Sequence, residues 1–74
     1  MTESRYEVAI YWSEEDQAFI AAVPELPGCL ADGITREEAL RNAELAIDQW
    51  IETARELGRR IPMPRRRLVG AGSV

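Results

Sequence analysis

The fold of this chain is decided by residues 23–40, which read V-P-E-L-P-G-C-L-A-D-G-I-T-R-E-E-A-L. Pro24 and Pro27 fix φ and donate no backbone hydrogen bond, so a strand that reaches position 23 must turn there. Thr35 and Glu38 have the spacing of a capping box, in which each side chain accepts a hydrogen bond from the backbone of the other residue. The stretch therefore predicts a turn, a short strand and the start of a helix.

Three strands are predicted around this stretch, at residues 5–12, 17–23 and 28–33. The first alternates polar and apolar side chains, which is typical of a strand with one buried face. The connections between the strands are too short for parallel crossovers, so the sheet should be an antiparallel meander. Residues 65–69 could add a short fourth strand at an edge of the sheet.

One helix is predicted at residues 36–57, where apolar side chains recur with a period of 3.6 residues. Gly58 stands where a helix of this length would end. The whole chain, residues 1–74, is therefore predicted to be one α+β domain of the order β-β-β-α. Its three-stranded meander sheet should have the helix packed on one face.

A chain of 74 residues can bury only a small core. Such chains often need an added source of stability, and self-association as a homodimer or a higher homo-oligomer is expected here. The chain has one cysteine, so no internal disulfide is possible. Neither a membrane-spanning apolar run nor a signal peptide is recognised, which predicts a cytoplasmic protein without a membrane partner.

Charge is distributed unevenly along the sequence. Thirteen acidic residues lie between Glu3 and Glu56 against four arginines, a net charge of −9 for this part. The segment from Arg59 onward has five arginines and no acid. The acidic body should repel nucleic acid and attract a basic protein. The arginines of the tail are interpreted as capping the helix and protecting a sheet edge, and a nucleic-acid contact is the alternative.

Catalytic chemistry has few candidates in this composition. The absence of histidine removes the commonest general base and metal ligand, so we expect no enzyme activity, no cofactor and no metal site. Cys29 is interpreted as a small core residue rather than a nucleophile. A magnesium site of Glu14, Glu15, Asp16 and Asp32 is the alternative to a solvated turn, which we favour.

Protein binding is the remaining kind of site. A single helix covers one face of a sheet, so Tyr11 on the opposite face is a candidate contact residue. The acidic turn between the first two strands and the proline turn complete the predicted set. The candidate partner-binding residues are Tyr11, Glu14, Glu15, Asp16, Glu25 and Leu26.

The order of these motifs resembles the HicB-like antitoxin family. The resemblance rests on V-P-E-L-P-G-C, D-G-x-T-x-x-E-A-L, A-x-x-x-W-I-E and I-P-x-P, and it covers residues 6–64. It implies a partial ribonuclease-H-like fold with a further edge strand. It also implies binding to a HicA-like toxin, a small basic protein that cleaves messenger RNA, as part of a type II toxin-antitoxin system.

One departure from the family concerns DNA. Full-length antitoxins of this family usually carry a C-terminal DNA-binding module, whereas this sequence stops about ten residues past I-P-M-P. We therefore expect a short solitary form that does not bind DNA. Two alternatives to the antitoxin role stay open: a small nuclease or nucleic-acid-binding remnant of a ribonuclease-H-like fold, and a regulator with another protein partner.

Overall fold

A computed structural model describes residues 5–64 of the chain. The elements are three strands, β1 (Ala9–Ser13), β2 (Ala18–Ala22) and β3 (Leu30–Gly33), followed by one helix, α1 (Arg36–Leu57). The strands form one antiparallel sheet with β2 in the centre. The predicted α+β meander is thus confirmed. The possible strand at residues 65–69 lies outside the described residues.

The strands are shorter than the sequence predicts, because the backbone pairing is confined to residues 9–13, 18–22 and 30–33. Phe19 and Ala21 of β2 point toward the helix, and Ile20 points to the other side. Trp12 pairs with Phe19 across the sheet, so it also lies on the helix side. The alternation along β1 therefore has the predicted phase.

Helix α1 has the predicted bounds and lies off-centre on the sheet. It packs mainly on β3, less on β2 and hardly at all on β1. Ala39 and Ala43 are fully buried against Ala21 of β2, and these small side chains let helix and sheet approach closely. Toward the C-terminal end of the helix, Ile47 fills a second cluster. The helix therefore leaves Trp12 of β1 substantially exposed.

The proline turn between β2 and β3 is closed by its own backbone. The N–H of Val23 donates to the carbonyl oxygen of Cys29 at 3.0 Å, and the N–H of Cys29 donates to Leu26 at 2.9 Å. Leu26 itself points inward and has no exposed surface. Trp50 of α1 donates from its indole nitrogen to the carbonyl oxygen of Pro27 at 2.9 Å. The turn is therefore fastened to both the core and the helix.

Both ends of α1 are capped. The hydroxyl of Thr35 accepts from the N–H of Glu38 at 3.0 Å, as predicted. The return bond differs from the prediction, because the carboxylate of Glu38 accepts from Ile34 at 3.1 Å and not from Thr35. At the other end Gly58 is left-handed with φ of 71°, and the N–H groups of Gly58 and Arg59 donate to Arg55 and Ala54. This pair of hydrogen bonds is the Schellman motif.

The chain after the helix returns to the start of the sheet. The hydroxyl of Tyr6 donates to the carbonyl oxygen of Pro62, which holds residues 61–64 beside the N-terminal segment. Within residues 5–64, no helix is both long enough and apolar enough to cross a membrane.

Candidate protein-binding site

The acidic turn between β1 and β2 is exposed and tightly organised. Ser13 donates from its hydroxyl to a carboxylate oxygen of Asp16 at 2.9 Å, and the N–H of Asp16 donates back to that hydroxyl at 3.2 Å. The side-chain amide of Gln17 donates to the carbonyl oxygen of Glu14 at 2.8 Å. Gln17 has a φ of 53°, a left-handed conformation that only a minority of non-glycine residues adopt. These bonds present the acids in a fixed arrangement.

The carboxylate of Glu14 also accepts a hydrogen bond from the indole ring of Trp12. The indole nitrogen of Trp12 donates to it at 3.2 Å. Trp12 packs edge-on against Phe19, with 5.1 Å between the ring centroids and an interplanar angle of 71°. The predicted acidic turn is therefore continuous with aromatic surface on the helix side of the sheet.

Tyr11 lies on the opposite side, which we call the open sheet face and define by Tyr11, Ile20, Leu30 and Asp32. In the register Tyr11 is next to Ile20, which is next to Asp32. Tyr11 is 54% exposed and Leu30 is 58% exposed. No helix or further strand of residues 5–64 packs on this face, and Tyr11 is accessible as predicted, whereas Ile20 at its centre is only 9% exposed.

Leu26 requires a correction. Its side chain is completely buried in the cluster of Val23, Cys29 and Ile47, so it cannot touch a partner at the surface. A leucine in a loop gives no periodic signal, and its burial follows from the turn folding back over the core. Glu25 beside it is half-buried.

The predicted contact residues do not form one surface. The acidic turn precedes β2 and the proline turn follows it, so the two turns lie at opposite ends of this strand, as consecutive turns of a meander must. Tyr11 faces away from the helix, whereas the indole of Trp12 next to it lies on the helix side. The structure therefore brings together only the acids at positions 14–16, and a partner of ordinary size would not contact all the predicted residues through one flat patch.

A groove that the sequence did not predict lies beside the start of α1. We call it the helix-start groove, and its volume is about 390 Å³. Its lining residues come from β1, from β2, from the link between β3 and α1, and from the first turns of α1: Ile10, Phe19, Ile34, Thr35, Arg36, Glu37 and Leu40. It exists because α1 lies over β3 and β2 and covers β1 only in part, with Ile10 half-buried and Trp12 exposed.

Apolar side chains dominate the accessible part of the helix-start groove. Ile34 is 74% exposed and Leu40 is 37% exposed, and Trp12 beyond Phe19 is 44% exposed. The guanidinium of Arg36 lies 4.8 Å from the ring centroid of Phe19, as a cation–π contact. The sequence offered one signal for this surface, an isolated isoleucine between Gly33 and the helix cap.

A second concavity of about 260 Å³ lies at the other end of α1. Trp50 forms its floor, and the guanidinium of Arg59 lies 5.8 Å from the Trp50 ring centroid. Cys29 lines it but is buried, and burial raises the pKa of the thiol. The thiol is therefore neutral near pH 7 and has little nucleophilic character.

Metal-binding geometry is lacking in the part of the chain that the structure describes. No group of three or more histidine, cysteine, aspartate or glutamate side chains converges there. The acids of the turn are oriented by Ser13, Gln17 and Trp12 instead. These bonds give the carboxylates of Glu14 and Asp16 partners next to them in sequence, and the preference for a solvated turn over a magnesium site stays a prediction.

Comparison with known proteins gives a family. The family model of the HicB-like antitoxins of bacterial toxin-antitoxin systems matches residues 6–68. The chain belongs to the HicB-like antitoxin family. The UPF0150 protein ssl0259 of Synechocystis sp. is 40% identical to it over 57 residues, 77% of each chain. The UPF0150 protein Ta0767 of Thermoplasma acidophilum is 40% identical over 53 residues, 72% of this chain and 77% of the relative.

No solved structure matches this HicB-like chain. Its similarity to a ribonuclease-H-like fold therefore stays a prediction. The residues that carried the resemblance have structural roles here. Thr35 and Glu38 cap the helix, and the two prolines shape a turn that is fastened by Leu26 and Trp50. The family motif thus builds the junction of sheet and helix.

Proposed function

We propose that this chain is a non-catalytic antitoxin that binds and neutralises a small basic HicA-like toxin. The observation that carries the proposal is the family match over residues 6–68. In this role the protein covers the surface with which the toxin binds messenger RNA. Neutralisation then needs only a stable complex and no chemical step.

The charge of the described residues supports this role. Residues 5–64 contain twelve acidic side chains and six arginines. The outer side of α1 carries a row of four acids at intervals of four residues, Glu44, Asp48, Glu52 and Glu56. Complementary charge raises the rate of association with a cationic protein and disfavours nucleic acid as a competing partner.

Several features disfavour the nuclease alternative. The described residues contain no converging set of metal-ligating carboxylates, and the sequence has no histidine. The buried thiol has a raised pKa, which opposes a cysteine nucleophile. Purified protein should therefore leave RNA intact in the presence of magnesium, and magnesium-dependent cleavage that disappears in the Glu14→Ala/Asp16→Ala variant would contradict the proposal.

The direct test is neutralisation of a toxin. A HicA-like protein is expressed in cells with and without this chain, and growth and messenger-RNA integrity are followed. We expect growth to be restored, and the two purified proteins to elute together in gel filtration. Toxin that stays active in the presence of excess protein would exclude this toxin as the partner and leave the regulator alternative with another partner.

Self-association through the open sheet face is part of this proposal. The face presents Tyr11 and Leu30, each more than half exposed, and a small domain gains stability by covering such residues. Sedimentation should give a mass above that of one chain, and Tyr11→Glu should lower it. A monomer at all concentrations would contradict this part. We place the complex in the cytoplasm, where messenger RNA is translated.

A further inference from the structure

The helix-start groove has the properties of a docking site for one kind of partner. Its apolar lining comes from Ile10 of β1, Phe19 of β2, Ile34 in the link before α1 and Leu40 of α1. Ile34 and Leu40 are exposed, and Trp12 adjoins the groove through its ring contact with Phe19. Contiguous exposed apolar side chains with polar side chains at the rim are typical of sites of protein contact. Nothing among residues 5–64 fills it.

Charge at the rim decides between possible occupants. Glu37 lines the groove, and the acidic turn adjoins it through the bond between Glu14 and Trp12. The neighbouring cation, Arg36, is already engaged with the ring of Phe19. A second copy of this acidic chain would place carboxylates against carboxylates, and a nucleic acid would meet the same repulsion. A cationic protein avoids both costs and meets a single like charge at the groove, that of Arg36, against Glu37 and the acidic turn.

The geometry points to the following assignment, which rests on the proposed function. We propose that the helix-start groove receives an apolar side chain of the basic toxin, and that lysine or arginine residues beside this anchor pair with Glu37 and the acidic turn. The volume of about 390 Å³ is ample for one leucine, methionine or phenylalanine side chain and its backbone. An apolar anchor within a charged rim is the usual composition of an energetic hot spot.

The core of the experiment is a pair of substitutions of matched chemistry. Ile34→Glu places a carboxylate in the groove, and Leu45→Glu places one on the outer side of α1. Both parent residues are exposed, at 74% and 55%, so both variants should keep the fold. Leu40→Glu on the other wall of the groove is a second test, and circular dichroism checks the fold of each variant.

Affinity is measured by calorimetry with a catalytically inactive variant of a HicA-like toxin. We expect Ile34→Glu and Leu40→Glu to raise Kd about tenfold or more, and Leu45→Glu to change it by about twofold or less. Binding should also weaken as NaCl rises from about 0.05 to about 0.5 M. In hydrogen exchange, amides 34–40 should become protected in the complex.

Other results would overturn the assignment in distinguishable ways. If the wild-type protein binds the toxin and Ile34→Glu binds equally well while Tyr11→Glu does not, the partner uses the open sheet face and only the groove assignment fails. If Ile34→Glu instead dissociates an oligomer of this chain and keeps toxin binding, a second copy occupies the groove. If the wild-type protein neither binds nor neutralises the toxin, the proposed function fails and the assignment falls with it.

Discussion

At Gly33 the backbone of β3 lies in close contact with the backbone of the first turn of α1. A Cβ atom at this position would lie 2.5 Å from the backbone nitrogen of Ala39 and 2.8 Å from the carbonyl carbon of Glu38. Real Cβ atoms do not approach backbone so closely, so the start of the helix would have to move. Space, rather than a left-handed conformation, therefore requires glycine here.

We expect Gly33→Ala to lower the free energy of unfolding by about 3 kcal/mol, at the upper end of overpacking costs. Gly28→Ala is the control. An added Cβ at Gly28 would meet nothing within 4 Å. The only expected loss of stability comes from the left-handed φ of 79°, which costs a residue with a side chain about 1 kcal/mol. Urea denaturation of the two variants measures both values. Equal losses would show that the helix start yields without strain.

Cys29 gives a prediction on pH. Burial raises the pKa of its thiol in the folded state, so the unfolded chain ionises first as pH rises past about 8.5. Below that pH the thiol is neutral in both states. Above it, unfolding releases a proton, and stability falls as pH increases. Wild type should therefore lose more stability than Cys29→Ala between about pH 7 and pH 9.5, and folded wild type should react slowly with iodoacetamide.

At the scale of the element, the outer side of α1 carries like charges four residues apart. Asp48 stands between Glu44 and Glu52, and such pairs destabilise a helix by about 0.2–0.5 kcal/mol each. Asp48→Lys replaces two repulsive pairs with two attractive pairs, so we expect a gain of about 1 kcal/mol in thermal or urea unfolding. Asp48→Asn removes only the repulsion and should give about half of this gain. A loss of stability in Asp48→Lys would refute the argument.

Helix bounds were predictable because their signals are local. Thr35 and Gly58 act within one turn of the backbone, and the structure places the ends of α1 at these residues. Strand ends were less predictable, because pairing depends on neighbours distant in sequence. The helix-start groove was not predicted for the same reason. It depends on the lateral position of α1 on the sheet, which no periodicity within the helix encodes.

At the scale of the whole molecule, Leu26 connects the proline turn to the common core. It is one of the two largest fully buried side chains, together with Ile47 of the helix. We expect Leu26→Ala to cost about 3 kcal/mol, a large share of the 5–15 kcal/mol typical of small proteins. Leu45→Ala, at a position 55% exposed, should cost about 0.5 kcal/mol or less. Calorimetry of both variants decides whether the turn belongs to the cooperative unit.

The off-centre position of α1 has a consequence for how this protein could acquire new partners. The helix covers only one flank of the sheet, and the buried residues that join the two, the alanines and Ile47, do not line the groove. Ile10 and Phe19 belong to both regions. Ile34 and Trp12 at the bare flank are substantially exposed. Their identity can therefore drift, or be redesigned toward a different ligand protein, while the scaffold keeps its architecture.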